Sequence, residues 1–357
     1  MQYKPAVFAV GDEYQILIPV VAPSLMWIKV GDRCYYDHAA GVLRSKCRVH
    51  RVHVPMQALD EAGCYTVCER LLPHRRPYCS KPRPEMQTSF RFYPVPKENA
   101  RAYMIADAHN RVREPILAAQ AFGDFDFLIF NGDVPEYSEK MDCLMTVFAI
   151  ADALTAGEKP LLYSRGNHDL RGKYAEDYAE YVPNCGGSFY YPFHLGSVAG
   201  LILDCGEDKT DDHEEYGGTL SCHVMREEET HYLESFDPVQ FAGAQTRLVI
   251  VHSPFTTHFG DPFDIEQDMY AHWGKLLRDR MHPDAMLCGH LHTLGIHACG
   301  SDFDSLGQPC TVIVGSKPGK AYFAGTGLLF GKDGIEVSFT DSDGKTLRNE
   351  IIETRRG

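Results

Sequence analysis

Apolar and polar positions follow two different rhythms along this chain. In the first hundred residues the apolar stretches are short and close together: Tyr14-Gln15-Ile16-Leu17-Ile18-Pro19-Val20, Leu25-Met26-Trp27-Ile28-Lys29-Val30, Arg33-Cys34-Tyr35-Tyr36 and Ser89-Phe90-Arg91-Phe92-Tyr93. They run or alternate at the period of strands, and Gly31-Asp32 between two of them is a hairpin signal. Short strands without a long helical pattern predict a small β-sandwich over residues 1–98, with 94–99 as the linker. Beyond Arg101 the apolar runs stop abruptly at polar residues. Met104-Ile105-Ala106 leads into Asp107, Phe127-Leu128-Ile129-Phe130 towards Asp133, and Leu161-Leu162-Tyr163 towards Asn167. Leu248-Val249-Ile250-Val251 ends at His252, and Ala285-Met286-Leu287-Cys288 runs towards His290. Such runs predict buried strands. Arg226 to Leu233 reads as a helix. The tail, punctuated by Lys332-Asp333-Gly334 and Ser342-Asp343-Gly344, predicts a β-meander that closes a second sheet.

The polar residues at these strand ends carry the chemistry. They are Asp107-Ala108-His109, Gly132-Asp133, Gly166-Asn167-His168-Asp169, His252 and Gly289-His290-Leu291-His292. In open α/β sheets, ligands sit at the carboxyl ends of strands. Any one of the 17 histidines, taken alone, reads as a surface or satisfied core residue, and Asp after Gly as a turn. Their joint occurrence after successive buried strands is what predicts a metal site. In Gly-His-Leu-His, residues i and i+2 of an extended segment share a face, so both imidazoles are expected on one side.

The ordered set D-x-H, G-D, G-N-H-D, a lone His and G-H-x-H resembles the calcineurin-like metallophosphoesterase superfamily, from Arg101 to the C-terminus. The resemblance implies a four-layer α/β/β/α catalytic domain over residues 99–357 and a centre of two divalent transition-metal ions. It further implies that Asp107, His109, Asp133 and His292 hold the first metal. Asp133, as the bridge, Asn167, His252 and His290 hold the second. The catalytic group it implies is His168, which protonates the leaving oxygen or stabilises phosphoryl charge, with Asp169 orienting its imidazole and Asn167 beside it. The activity implied is phosphoester hydrolysis by a metal-bound hydroxide. A phosphatase acting on a small phosphomonoester is expected; a phosphodiesterase is the alternative, and a catalytically silent scaffold a minor one. The donors are nitrogen and oxygen only, which suits Mn, Fe, Zn or Ni.

An immunoglobulin- or fibronectin-like sandwich ahead of such a domain is similar to the arrangement in purple acid phosphatases. Those enzymes have Gly where this chain has His109. Their Tyr ligand lies three residues after the bridging Asp, a position held here by Glu136, with Tyr137 one further on. The departure implies no tyrosinate ligand and a colourless or faintly coloured site.

Composition narrows the partners. With 35 Lys and Arg against 49 Asp and Glu the formal charge is −14, which counts against nucleic acid as a partner but not against a small phosphorylated substrate. No apolar stretch reaches the length of a membrane helix and no signal-peptide core is visible, so a cytoplasmic protein is expected. The 12 cysteines are therefore expected to be reduced, and Cys64-x-x-x-Cys68 lacks the second pair of a zinc ribbon. The acidic loop 206–215 reads by default as solvated surface, with a substrate lid as the functional alternative. His258, shortly after His252, is a further candidate near the substrate.

Overall fold

The computed structural model describes residues 1–354. The apolar runs ahead of the motifs are strands: Ala100–Ile105, Phe127–Asn131, Pro160–Ser164, Thr246–Ile250 and Ala285–Cys288. Their side chains divide between two cores by parity. Ala102, Met104, Ile129 and Leu162 face one; Tyr103, Ile105, Leu128, Phe130, Leu161 and Tyr163 face the other. Burial on both faces is why these strands read as continuous apolar runs rather than alternating ones.

The first three pair in parallel within a ten-stranded sheet, and the last two pair in parallel within a six-stranded one. Leu248, Ile250, Ala285 and Leu287 of the smaller sheet share a core with Ala102, Met104 and Ile129 of the larger, so the sheets pack face to face. Helices Arg113–Phe122 and Met141–Thr155 cover the outer face of the large sheet through Ala118, Ala119, Leu144, Val147 and Phe148. Cys222–Ser235 and Gln267–Leu276 cover the outer face of the small one through Leu233, Tyr270 and Trp273. These are the four α/β/β/α layers that the resemblance implies.

The N-terminal residues make two facing layers, and one of them belongs to the large sheet. Ala6–Val10 pairs in parallel with Pro160–Ser164 and antiparallel with Glu13–Pro19, which in turn pairs with Val49–Pro55. Strands Arg33–Tyr36, Ser24–Val30, Cys64–Leu71 and Met86–Arg91 form a separate antiparallel sheet, whose Met26, Ile28, Val67 and Phe90 pack against Ile16, Ile18, Val52 and Val54. Hydrogen bonding therefore crosses the expected 98/99 boundary. The hairpin at Gly31 is present, with Val30 opposite Arg33. The meander is present too, as Tyr322–Gly331, Gly334–Asp341 and Thr346–Ile352. It extends the large sheet beyond Ala100–Ile105 instead of closing a second sheet. Periodicity shows which face of a strand is buried but not which edge it joins. Among the described residues no helix is long and apolar enough to cross a membrane.

This pairing predicts how the chain responds to truncation. Starting it at Asn99 unpairs one edge of Pro160–Ser164 and uncovers the apolar face now packed by Ile16, Ile18 and Val52. The shortened protein is expected to aggregate or to lose cooperative thermal unfolding, followed by circular dichroism and light scattering. A monodisperse, cooperatively melting product would show that the shared sheet is dispensable.

Candidate metal centre

Each motif occupies the turn that leaves its strand, and the turns are tight. Asp107, His109, Asp133, His290 and His292 all have left-handed backbones, with φ between 46° and 67°. Non-glycine residues adopt this region rarely, and such strain concentrates at functional sites. The neighbouring glycines have steric reasons. A Cβ on Gly132 would overlap the His252 imidazole, one on Gly166 would overlap the Asp133 carboxylate, and one on Gly289 would lie 2.8 Å from Asp107 Oδ2. Because His290 and His292 are left-handed, Gly-His-Leu-His is a turn, and the extended geometry expected from sequence does not apply.

Asp107 is fully buried and Asp133 nearly so. Asp107 accepts hydrogen bonds from the His290 amide, at 3.1 and 3.0 Å to its two oxygens, and from the Ser316 hydroxyl. His252 Nε2 lies 3.2 Å from Asp133 Oδ2 and 3.7 Å from Asp107 Oδ1. Its Nδ1 is 2.7 Å from the Asn131 carbonyl oxygen, which only accepts, so Nδ1 carries the proton. The other nitrogen, Nε2, is buried, has no hydrogen-bond partner and is directed at two carboxylates. Metal-ligating histidines are commonly fixed in this way, with the second nitrogen on a carbonyl. Across the cluster, His109 Nε2 and His292 Nε2 face each other at 3.0 Å, and His292 Nε2 is 3.4 Å from Asp107 Oδ1. Two imidazole nitrogens at that distance share either a proton or a cation.

Asp107, His109, Asp133, His168, His252 and His292 contribute to three overlapping groups whose candidate ligand atoms lie within 4.8 Å of one another. His290 and Asn167 adjoin them. The His290 ring is 5.4 Å from that of His252, and its Nδ1 is 3.2 Å from Asn167 Oδ1. Electrostatics agree with a cationic occupant. Burial disfavours ionised Asp133, yet the imidazoles of His252, His168 and His109 hold its carboxyl well below the ordinary range. Asp107 is likewise held down against burial, by His292 and His252. Burial would lower His252, but Asp133 and Asp107 drive it up to about 10. Burial and His252 push His290 down to about 4, and burial lowers His109, leaving both as neutral donors. Paired carboxylates with neutral imidazoles fit divalent metal ions.

His168 lies beside the cluster, with Nε2 4.0 Å from Asp133 Oδ2. Its orientation differs from expectation. Nδ1 is bound by the Glu136 carbonyl at 2.9 Å, and the ring stacks on Tyr137 with centroids 5.3 Å apart. Asp169 does not orient it. That carboxylate accepts from the Gly166 amide at 2.7 Å and the Tyr163 hydroxyl at 3.3 Å, holding the turn, and burial with Asp133 pushes it up to about 7.

Several residues went unrecognised in the sequence. Arg171 grips Glu207 bidentately at 2.6 and 2.8 Å and places Nη1 3.4 Å from His168 Nε2. Glu207, assigned to a solvated loop, is buried, and its Oε2 is 3.4 Å from Asn167 Nδ2. Asp208 Oδ2 is 3.8 Å from His290 Nε2. Ser316 follows a strand that carries no motif. Only the acidic loop had drawn notice, and its charge pattern alone gave no reason to bury Glu207. His258 pairs with Asp264 at 3.3 Å and lines an apolar pocket beside His290 together with Phe255, Phe259, Phe263 and Leu306.

Residues 100–294 match the family model of the calcineurin-like phosphoesterases. No curated protein sequence matches the chain. Among solved structures it is similar to a purple acid phosphatase from yellow lupin (Lupinus luteus) seeds, at 14% identity and a TM-score of 0.61, over 99% of this chain and 74% of that one. It is also similar to a predicted phosphoesterase from Streptococcus pneumoniae, at 11% identity and a TM-score of 0.33, over 71% of this chain and 98% of that one. A third similar structure is vacuolar protein sorting 29 from Cryptosporidium parvum, at 12% identity and a TM-score of 0.36, over 72% and 100%.

Ser316→Ala removes the hydroxyl that orients Asp107 without touching any expected ligand. Metal affinity should weaken by roughly 10–100-fold, the usual cost of such a loss, as read by isothermal titration. Unchanged affinity would mean that Asp107 does not hold the metal.

Proposed function

Since the chain belongs to the calcineurin-like phosphoesterase family and is a phosphoric ester hydrolase, we propose that it cleaves a small phosphomonoester with two divalent transition-metal ions. The proposed ligands of the first ion are Asp107, His109, Asp133 and His292. Those of the second are Asp133, Asn167, His252 and His290. The observation that carries this reading is the buried, unpartnered Nε2 of His252 directed between Asp107 and Asp133. The nitrogen and oxygen donors favour Mn, Fe, Zn or Ni. Bound there, such ions supply a Lewis acid for the phosphoryl oxygen and a water of lowered pKa.

The chain's own groups provide the rest. With Nδ1–H fixed on the Glu136 carbonyl, Nε2 is the atom through which His168 would exchange a proton with the leaving oxygen. Tyr137 holds that ring by stacking, and Arg171, fixed by Glu207, brings positive charge beside it. Residues 99–357 carry all of this chemistry; residues 1–98 complete the sheet behind it. A phosphodiester is the second reading. Phe255, Phe259, Phe263 and Leu306, beside His290, offer an apolar contact for another organic group.

Turnover of para-nitrophenyl phosphate against its bis ester, with Mn supplied, separates the two readings. Monoester preference supports the proposal, diester preference the alternative, and inactivity on both, with metals bound, the silent scaffold. Asp133→Asn should lose both ions together, about two per chain by elemental analysis; retention of both would refute the bridging role. His168→Ala should keep its metals while turnover falls by roughly 10²–10⁴. A fall in metal content would instead make His168 a ligand.

A further inference from the structure

A second cluster of metal-binding character lies in the N-terminal layers. His50, on the edge strand Val49–Pro55, is fully buried, and its Nδ1 is 2.6 Å from Asp37 Oδ2 and 3.3 Å from Cys47 Sγ. The third side of the triangle, Cys47 Sγ to Asp37 Oδ2, is 3.7 Å. Sγ is also 3.6 Å from His50 Nε2, so the thiol lies along the ring edge, and the three candidate ligand atoms lie within 4.8 Å of one another. Asp37 is buried, and the half-buried Cys47 leaves one side open to a water. Zn–S near 2.3 Å and Zn–N or Zn–O near 2.0 Å at tetrahedral angles give ligand separations of about 3.5 Å to sulfur and about 3.3 Å between nitrogen and oxygen. Both sulfur distances are within a few tenths of an ångström of this. The imidazole–carboxylate distance is that of a hydrogen bond and needs to open by about 0.7 Å for a cation to replace the shared proton.

The cluster sits at the base of an exposed excursion that Arg75 also ties down, through the Leu43 carbonyl and the Ser45 hydroxyl. Between Asp37 and Cys47 the chain makes an excursion containing only the two short strands His38–Ala39 and Val42–Leu43. Almost every residue from His38 to Leu43 is exposed, including Val42 at 58%. An isolated two-stranded hairpin is marginal in water, and small elements without a core are commonly stapled. Asp37 and Cys47 are the two ends of this excursion, and His50 belongs to the large sheet at residues opposite Ile18. Arg44 approaches the other carboxylate oxygen, Asp37 Oδ1, at 3.9 Å and is itself paired with Glu180, so Oδ2 remains directed at His50 and Cys47.

We propose that Asp37, Cys47 and His50 bind one thiophilic divalent cation of the zinc class, and that this ion staples the base of the 38–46 excursion to the edge of the large sheet. The site is separate in chemistry from the centre built on Asp107 and Asp133, because it contains sulfur. Soft thiolate with imidazole selects zinc, and cobalt or cadmium as its surrogates, over magnesium, calcium or manganese.

Sulfur gives the test a readout that the other centre does not produce. Full-length chelator-treated protein is titrated with Co²⁺ while the thiolate-to-cobalt charge-transfer band in the near ultraviolet is recorded. The band is expected in the wild type and in Asp133→Asn, and is expected to be lost in Cys47→Ala. Zinc content in Cys47→Ala should fall by about one ion per chain, with ester hydrolysis retained. His50→Gln keeps all the cysteines and should also lose the band, which separates this site from cobalt held by exposed thiols and covers the case in which Cys47→Ala does not fold. Absence of the band in the wild type, or its persistence in His50→Gln, overturns the proposal.

Discussion

Two buried carboxylates set the terms for the rest of this structure. Asp107 and Asp133 lie at the seam between two packed sheets, where an uncompensated negative charge is costly. The protein supplies partial compensation through backbone amides, the Ser316 hydroxyl and a ring of imidazoles. One of those imidazoles, His252, has Nδ1 on a carbonyl and presents its buried Nε2 to both acids. Buried carboxylates ringed by imidazoles in this way fit a divalent cation.

Bringing those groups together requires a backbone that few residues tolerate. Parallel strands deliver them to one edge, but the side chains converge only because the turns are left-handed and glycines allow carboxylate and imidazole to approach without a Cβ between them. The strain is sustained by the layers behind it, where each strand is buried on both faces and helices cover both outer surfaces. The geometry of the centre and core packing are therefore linked: the cores hold the turns, and the turns hold the candidate ligands.

The N-terminal hundred residues serve the same end by a different route. Ala6–Val10 continues the catalytic sheet directly, so what reads as a preceding module also protects the edge of Pro160–Ser164, the strand that leads to Asn167 and His168. A four-stranded sheet then covers one face of that extension. The Asp37, Cys47 and His50 cluster lies at the far edge, where the sheet ends and an exposed hairpin departs from it.

The residues gathered at these strand ends were legible in the sequence, because a residue's identity and its place at the end of an apolar run are both local properties. So were the strands, the hairpin at Gly31, the helix around Arg226 and the C-terminal meander, each set by short-range periodicity. Edges and partners were not. Periodicity determines which face of a strand is buried, whereas which neighbour it pairs with depends on the whole sheet; hence the meander and Ala6–Val10 both join a sheet that local pattern did not assign to them. The same limit applies around His168. Its neighbour Asp169 seemed the natural orienting group, but a 3-10 turn directs that carboxylate inward to Gly166, and the imidazole is held by the Glu136 carbonyl, 32 residues away. Glu207, Arg171 and Ser316 came into view only once the strands were assembled, because distance in space, not spacing in sequence, decides which charges meet.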